Sequence, residues 1–256
     1  MNAFLIGLQF LTRISIVRQT VWTEEDFGNS VKFFPAVGAV LGISYIAVVS
    51  ILIELTGGKY PMLEAAIVFA STVMLTGGIH CDGFMDTFDG LFSGRDRERM
   101  LEIMKDSHVG AFGAVSFVVL SIVEFSALNE LTRLPTDIFL SAIFAMPILG
   151  RLMMTMTIGL FPYARREGMG KAFAEHTNGK TMIFASIEAV ILLLPMLAFS
   201  IEMFLTALMS GIAAVAFTLY FGHYATKKLG GVTGDVYGAV TLLSESIVLI
   251  TFLIAY

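Results

Sequence analysis

Residues 62–113 read MLEAAIVFASTVMLTGGIHCDGFMDTFDGLFSGRDRERMLEIMKDSHVGAFG. The first third, 62–79, is apolar apart from Glu64, and as a helix it rises about 27 Å, close to the roughly 30 Å of a bilayer's hydrocarbon. Residues 80–109 hold the densest charge in the chain. Asp82, Asp86 and Asp89 are spaced i, i+4, i+7, so in a helix they fall within about 60° of one face. Three carboxylates on one face repel each other unless a cation or a partner lies between them. Mg²⁺ suits such a set, because it usually takes one or two carboxylates and completes its shell with water and substrate phosphates. A solvated acidic helix face is the alternative. The stretch therefore predicts a membrane span that hands over directly to a polar, oxygen-rich site at one face of the bilayer.

The rest of the chain fits that frame. Of 256 residues, 56% are hydrophobic and 14% charged, and the mean hydropathy is +0.82. This is the composition of a polytopic membrane protein. The net charge of −5 and the 16 Lys and Arg residues form no basic face and exclude a nucleic-acid binder. Cys81 is the one cysteine, so there is no intrachain disulfide; with His80 alone it makes a poor zinc site and reads as packing. The N-terminus lacks the basic region and the cleavage site of a signal peptide. Residues 1–18 read as a short interfacial or re-entrant helix, and 21–30 as a polar connection with a helix start at Thr23. The expected architecture is all-α: a single integral membrane domain over 1–256, with seven spans at roughly 31–55, 62–79, 110–130, 137–161, 181–200, 203–222 and 237–256. Small residues four apart, such as Gly38 and Gly42, allow close helix contact in lipid.

Basic residues set the orientation. With the N-terminus inside, thirteen of the 16 lie in cytoplasmic segments, Arg18 among them, against Lys59 and Arg133 outside; Arg151 lies within a span. The long polar loops 80–109, 162–180 and 223–236 then all face the cytoplasm. Gly77-Gly78 with Asp82 and Gly230-Gly231 with Asp235 share a GGxxxD pattern, too little to establish a repeat.

Several groups outside the aspartate trio could carry chemistry. Residues 95–106 read as a charged surface helix in which Arg97 and Glu98 are ordinary salt-bridge partners and Glu102 neighbours Glu98 and Lys105. Asp106, at its end, is either exposed or faces the Asp82 cluster across a hairpin. Ionisable groups inside spans are usually functional. Arg151 is either a phosphate fork or the partner of an intramembrane acid: Glu124, Glu188 or Glu245. The loop 161–173, with Arg165, Arg166 and Lys171, is either an anion clamp or a plain cytoplasmic loop. GGVTGD (230–235) is either a backbone phosphate cradle through Gly231 with Asp235, or a helix-linking turn. His80 and His108 are either hydrogen-bonding or proton-transfer groups, or structural.

These blocks resemble one known family. Phe10-Leu11-Thr12-Arg13, Phe34-Pro35 with Gly38 and Gly42, Gly77-Gly78-Ile79-His80-Cys81-Asp82-Gly83 with Asp86 and Asp89-Gly90, Lys105-Asp106 with Gly110, Arg151, and Gly230-Gly231-Val232-Thr233-Gly234-Asp235 with Gly238 are similar to cobalamin synthases, the adenosylcobinamide-GDP ribazoletransferases, from about residue 3 to 250. Cys81 and Phe84 stand where aliphatic residues are expected. The resemblance implies a Mg²⁺-dependent enzyme of the cytoplasmic membrane that joins adenosylcobinamide-GDP to α-ribazole or its 5′-phosphate and releases GMP. On this expectation the reaction is an in-line phosphoryl transfer. Asp82, Asp86, Asp89 and Asp106 are the metal set, and Asp89 or His80 takes the proton. Arg151, Lys105, Arg165, Arg166, Gly231 and Asp235 contact substrate. The lipid bilayer is the surrounding partner, and a homo-oligomer is compatible with the pattern. Two other classes stay open: a different membrane transferase acting on diphosphates, and a cation transporter. The one-sided placement of the acids argues against the transporter.

Overall fold

A computed structural model describes residues 3–17 and 23–256. Arg18, one of the thirteen cytoplasmic basic residues, lies outside the described residues, as do the ends of the expected interfacial helix and the start of the 21–30 connection. Twelve α-helices account for most of the described chain: α1 (Ala3–Leu11), α2 (Glu24–Ser30), α3 (Phe34–Thr56), α4 (Pro61–Thr76), α5 (Ile79–Leu91), α6 (Arg97–Ile103), α7 (Ala111–Leu131), α8 (Thr136–Leu160), α9 (Met169–His176), α10 (Gly179–Leu193), α11 (Ile201–Leu229) and α12 (Gly234–Ala255). Short 3₁₀ turns at Val31–Phe33 and Leu194–Ala198 lead into α3 and out of α10. Among the described residues there is no strand, only one isolated parallel bridge between Tyr163 and Val232.

The expected helical membrane bundle is what the chain forms. Among the described residues six helices are long and apolar enough to cross a membrane, and there are up to seven such spans when the bent pair α4–α5 is taken as one. Sequence and structure differ most at α4. The apolar run to Ile79 does not continue as one helix, because Gly77 (φ +66°) and Gly78 (φ +74°) both adopt the left-handed conformation. That conformation is costly for any residue with a Cβ and closes helices readily with glycine. Gly77 donates its N–H to the carbonyls of Met74 and Val73, ending α4, and α5 leaves at 87°. At 16 residues α4 rises only about 24 Å, so α5 turns across the end of a short span and carries its aspartates along the face of the bundle. At the other extreme α11 runs past the expected 203–222 to Leu229. Its extra turns bury Ala225 and Leu229.

The centre of the bundle is α8, buried along nearly its whole length, with α3, α12, α11 and α10 packed against it. The outward faces of α7 and α11 carry exposed apolar residues such as Val115, Ile122, Ile212 and Leu219, the surface expected against lipid. α1 is short, as expected, and buries Ile6, Leu8 and Leu11 against its neighbours, which include α2 and α3. The chain beyond it is tied to the end of α4, where Arg13 donates its backbone N–H to the Leu75 carbonyl at 2.7 Å.

Candidate active site

Two helix starts meet to form the site. α5 and α12 cross almost backbone to backbone. A Cβ at Gly83 would come within 2.9 Å of the Asp235 carbonyl oxygen, and one at Gly238 within 3.3 Å of the His80 backbone. Only glycine allows that approach, and the crossing puts the first turn of α12 beside the acidic face of α5. Asp86 is half-buried there, with Asp235, Asp82 and Asp89 as its charged neighbours and Arg165 as the nearby cation.

Asp235 is fixed from two sides. Thr233 caps α12 by accepting the Val236 N–H at 3.4 Å, and its hydroxyl donates to Asp235 Oδ2 at 3.1 Å. Arg165 Nη2 donates to the same oxygen at 2.7 Å and to the Met104 carbonyl at 3.2 Å. The loop that carries Arg165 is itself zipped to the loop before α12. Ala164 N–H donates to the Val232 carbonyl, and Val232 N–H to the Pro162 carbonyl, both at 2.8 Å. Arg97 braces this joint from outside: its Nε donates to the Leu229 carbonyl at 2.7 Å and its Nη2 to the Ala164 carbonyl at 3.3 Å. Arg97 therefore does more than the surface pairing read for it, although it also meets Glu98 at 3.2 Å. Glu102 pairs with Arg99 at 2.8 Å.

Four clefts open around these groups. The first, about 250 Å³, is lined by His80, Asp82, Tyr163, Arg165, Asp235 and Tyr237 with several apolar side chains. A second, about 540 Å³, lies on the other side of Asp82 and is lined by Gln9, Arg13, Gly77, Gly78 and Met85 among others. A third, about 520 Å³, lies beyond Arg165 and includes Lys105, Arg166 and Glu102. A fourth, about 280 Å³, is lined by Tyr163, Arg165 and Lys171 among others. Asp82 lines the first two and Arg165 the first, third and fourth, so carboxylate and guanidinium each stand between neighbouring clefts.

Comparison with known proteins identifies the lineage. Residues 3–253 match the family described as cobalamin-5-phosphate synthase. The chain belongs to that family. A relative from Desulfitobacterium hafniense (strain Y51), named adenosylcobinamide-GDP ribazoletransferase, is 39% identical over 98% of this chain and 96% of its own length. Relatives with the same name from Acinetobacter baumannii (strain ACICU) and Clostridium acetobutylicum are 35% and 34% identical. They cover 100% and 96% of this chain, and 98% and 94% of their own lengths. No solved structure matches.

Within this family member the expected site residues fall into three groups. Asp82, Asp86, Asp235, Arg165 and His80 come together at the α5–α12 crossing, and Gly231 is buried in the loop that leads into it. Lys105 and Arg166 join them through the third cleft. The remainder are engaged elsewhere. Asp89 accepts the N–H groups of Gly110 (Oδ2) and Gly113 (Oδ1), each at 2.8 Å, and so caps α7, whose own N-cap residue, Gly110, has no side chain to do it. Asp106 is exposed on the turn after α6; its Oδ1 accepts the His108 N–H at 3.0 Å and contacts His108 Nδ1 at 2.7 Å. Those bonds hold the Asp106 carboxyl below the usual range. Arg151 is 1% exposed and paired with Glu245, the second of its two sequence readings. Sequence reasoning did not single out Arg13, Tyr163 or Tyr237 as site residues. Their place in the clefts depends on tertiary contacts, and only Arg13 carried a local signal, as a cation closing an apolar run.

The donor set at the crossing can be weighed against Mg²⁺. Among the described residues no three His, Cys, Asp or Glu side chains are gathered closely enough to hold a metal alone. Mg²⁺ usually takes one or two protein carboxylates and completes its shell with water and substrate phosphates. Asp82 and Asp86, a turn apart beside Asp235, fit that requirement.

The capping role of Asp89 has a measurable consequence. Asp89→Ala leaves two amides at the start of α7 without an acceptor and should cost about 1–2 kcal/mol, as lost helix caps do. Thermal unfolding of the purified variant checks this. An unchanged melting temperature would free Asp89 for a role in the reaction.

Proposed function

We propose that this multi-pass membrane protein transfers the phosphoryl-linked adenosylcobinamide group of adenosylcobinamide-GDP to α-ribazole or its 5′-phosphate, with GMP leaving, as a Mg²⁺-dependent phosphotransferase of the cytoplasmic membrane. The observation that carries the reading is the end-to-end family match, made on a chain that gathers Asp82, Asp86, Asp235 and Arg165 at one crossing. The charge asymmetry of the loops supports a cytoplasmic site.

In this reading a ribose hydroxyl that is free in both α-ribazole and its 5′-phosphate attacks the phosphorus on the cobinamide side of the diphosphate and gives up its proton. The new P–O bond forms as the bond to the GMP oxygen breaks, with the two oxygens in line. Asp82 and Asp86 would hold Mg²⁺, and the ion, when bound, neutralises charge on the diphosphate as the leaving group departs. Arg165, kept in position by Asp235 and Met104, presents its guanidinium between neighbouring clefts. Lys105 and Arg166 line the same cleft as Arg165 and would add two more cations there, beside Glu98, Glu102 and Glu167. Charge stabilisation of this kind, from preset groups in a partly desolvated cleft, is commonly the largest single contribution to such a reaction.

The decisive experiment is GMP release by the purified protein in nanodiscs, given both substrates and Mg²⁺. Release that needs both substrates is the expected result. Release from the donor alone would indicate a hydrolase, and no release with either riboside would remove the proposal.

A further inference from the structure

The first cleft differs from the other three in ways that bear on which substrate enters it. It is the smallest, about 250 Å³, below the roughly 300–1,000 Å³ of pockets for drug-sized ligands. A base and its sugar fit that space; a corrin ring does not. Its walls are aromatic and thioether: Phe10, Phe173, Tyr163, Tyr237, Met154 and Met169. Phe10 and Phe173 meet edge to face with centroids 5.1 Å apart, and Tyr163 and Tyr237 stand 6.4 Å apart at 38°. Flat ligands favour such surfaces.

The polar groups of this cleft are few and unevenly used. Asp235 and Arg165 are bonded to each other, with Arg165 Nε left free, and Asp82 is exposed to the groove. Tyr163 brings a hydroxyl near Arg165, and two further side chains are buried and unpaired. His80 is 2% exposed and Tyr237 3% exposed, yet neither His80 Nε2 nor the Tyr237 hydroxyl has a hydrogen-bond partner. Buried polar atoms are normally paired, and an unpaired one is costly unless something arrives to meet it. These two flank the α5–α12 crossing on adjoining first turns, His80 packed under Gly238 and Tyr237 next to it in sequence.

We infer that this cleft is the acceptor subsite: it takes a riboside whose planar base is largely apolar and carries a single ring-nitrogen acceptor, with His80 and Tyr237 reading that base. The inference rests on the transferase reading and divides its two substrates between the clefts. A benzimidazole offers aromatic faces and one free ring nitrogen, which matches an aromatic slot whose buried polar atoms, His80 Nε2 and the Tyr237 hydroxyl, await a partner. Guanine brings an oxygen, a second ring nitrogen, a ring N–H and an amino group. Most of these would go unpaired here, and unpaired polar groups are what specificity is built from. The guanosine of the donor then belongs in the wider groove beyond Arg165. On this assignment the base of the acceptor lies between the aromatic walls, with its ribose on the Asp82 side of the cleft.

The test uses full-length protein in nanodiscs, with α-ribazole and GMP as probes. Tyr237→Phe removes only an oxygen that has no partner, so it should fold at least as well as wild type. Met169→Trp fills the cleft from its exposed rim, where Met169 is 65% exposed. Both variants are expected to raise the KM for α-ribazole, about five- to tenfold for Tyr237→Phe, with the KM for the GDP-linked donor unchanged. By calorimetry, wild-type protein should bind α-ribazole without donor, and equimolar GMP should not displace it. A rise in donor KM with acceptor KM unchanged, unchanged values for both, or competitive displacement by GMP would overturn the assignment while leaving the transferase reading intact. Saturable riboside binding without any GMP release on adding donor would instead count against the transferase reading.

Discussion

Replacing Asp82 or Asp86 by Asn is expected to cut GMP release by on the order of 100-fold, the usual scale for losing one preset electrostatic contact in a transition state, while the protein inserts and folds normally. The two halves of this expectation come from the same observation. Neither carboxylate accepts a hydrogen bond from any described residue, and Asp86 has three like-charged neighbours, Asp235, Asp82 and Asp89. Arg165, the one cation beside Asp86, is already held by Asp235 and Met104, so removing the Asp86 charge mainly relieves repulsion and leaves the melting temperature equal or higher. If the carboxylates serve Mg²⁺, the weaker variant should need more of the ion for half-maximal rate and recover part of its activity at high Mg²⁺ or Mn²⁺. The measurement is GMP release across a Mg²⁺ titration, with melting temperatures taken in parallel. Asn variants that melt well below wild type, or that turn over normally with an unchanged Mg²⁺ dependence, would refute the metal assignment and move the search to Asp235 and Arg165.

What the sequence disclosed and what it concealed divide along a physical line. Six of the seven expected spans were legible because a hydrocarbon slab imposes its own length on apolar helices, and α3, α7, α8 and α12 begin and end within a few residues of expectation. The α5 face was legible because helical spacing alone sets it. The turn between α4 and α5 was harder to see: Gly77-Gly78 stood in plain view, but a glycine pair says that a turn is allowed and not that it reaches 87°. Least legible was how each charge is spent. Asp89 has the same spacing as Asp82 and Asp86, yet its register carries it to the open amides of α7. Asp235 and Arg165 are 70 residues apart in the chain and are bonded to each other only because the loops at Val232 and Ala164 are zipped together. Arg97 braces that zipper through carbonyl oxygens, partners that no charge pattern reveals.

Arg151 gives the other large expected effect, and on stability instead of turnover. It lies in the middle of α8, 1% exposed, and its Nη1 donates to Glu245 of α12. Glu124, another candidate partner, instead accepts the Ser246 hydroxyl at 2.7 Å, and Glu188 accepts the Ala36 N–H at 3.3 Å. Packing leaves little room for adjustment: a Cβ at Gly150 would lie 2.8 Å from Glu245 Cγ. Removing one member of such a pair strands the other charge in a medium that cannot solvate it, a loss of about 3–5 kcal/mol, whereas replacing both by apolar residues of similar volume is often neutral. Arg151→Met and Glu245→Met are thus each expected to unfold much earlier than wild type. The double variant should regain most of the melting temperature, and GMP release should return with it. A phosphate-binding Arg151 predicts a different pattern: the double variant would recover its melting temperature and stay inactive, and Arg151→Lys would keep the charge yet lose the bidentate grip and the rate. Melting curves and GMP release on the three methionine variants separate the two cases. Single variants as stable as wild type would show that the pair does not hold α8 to α12 at all.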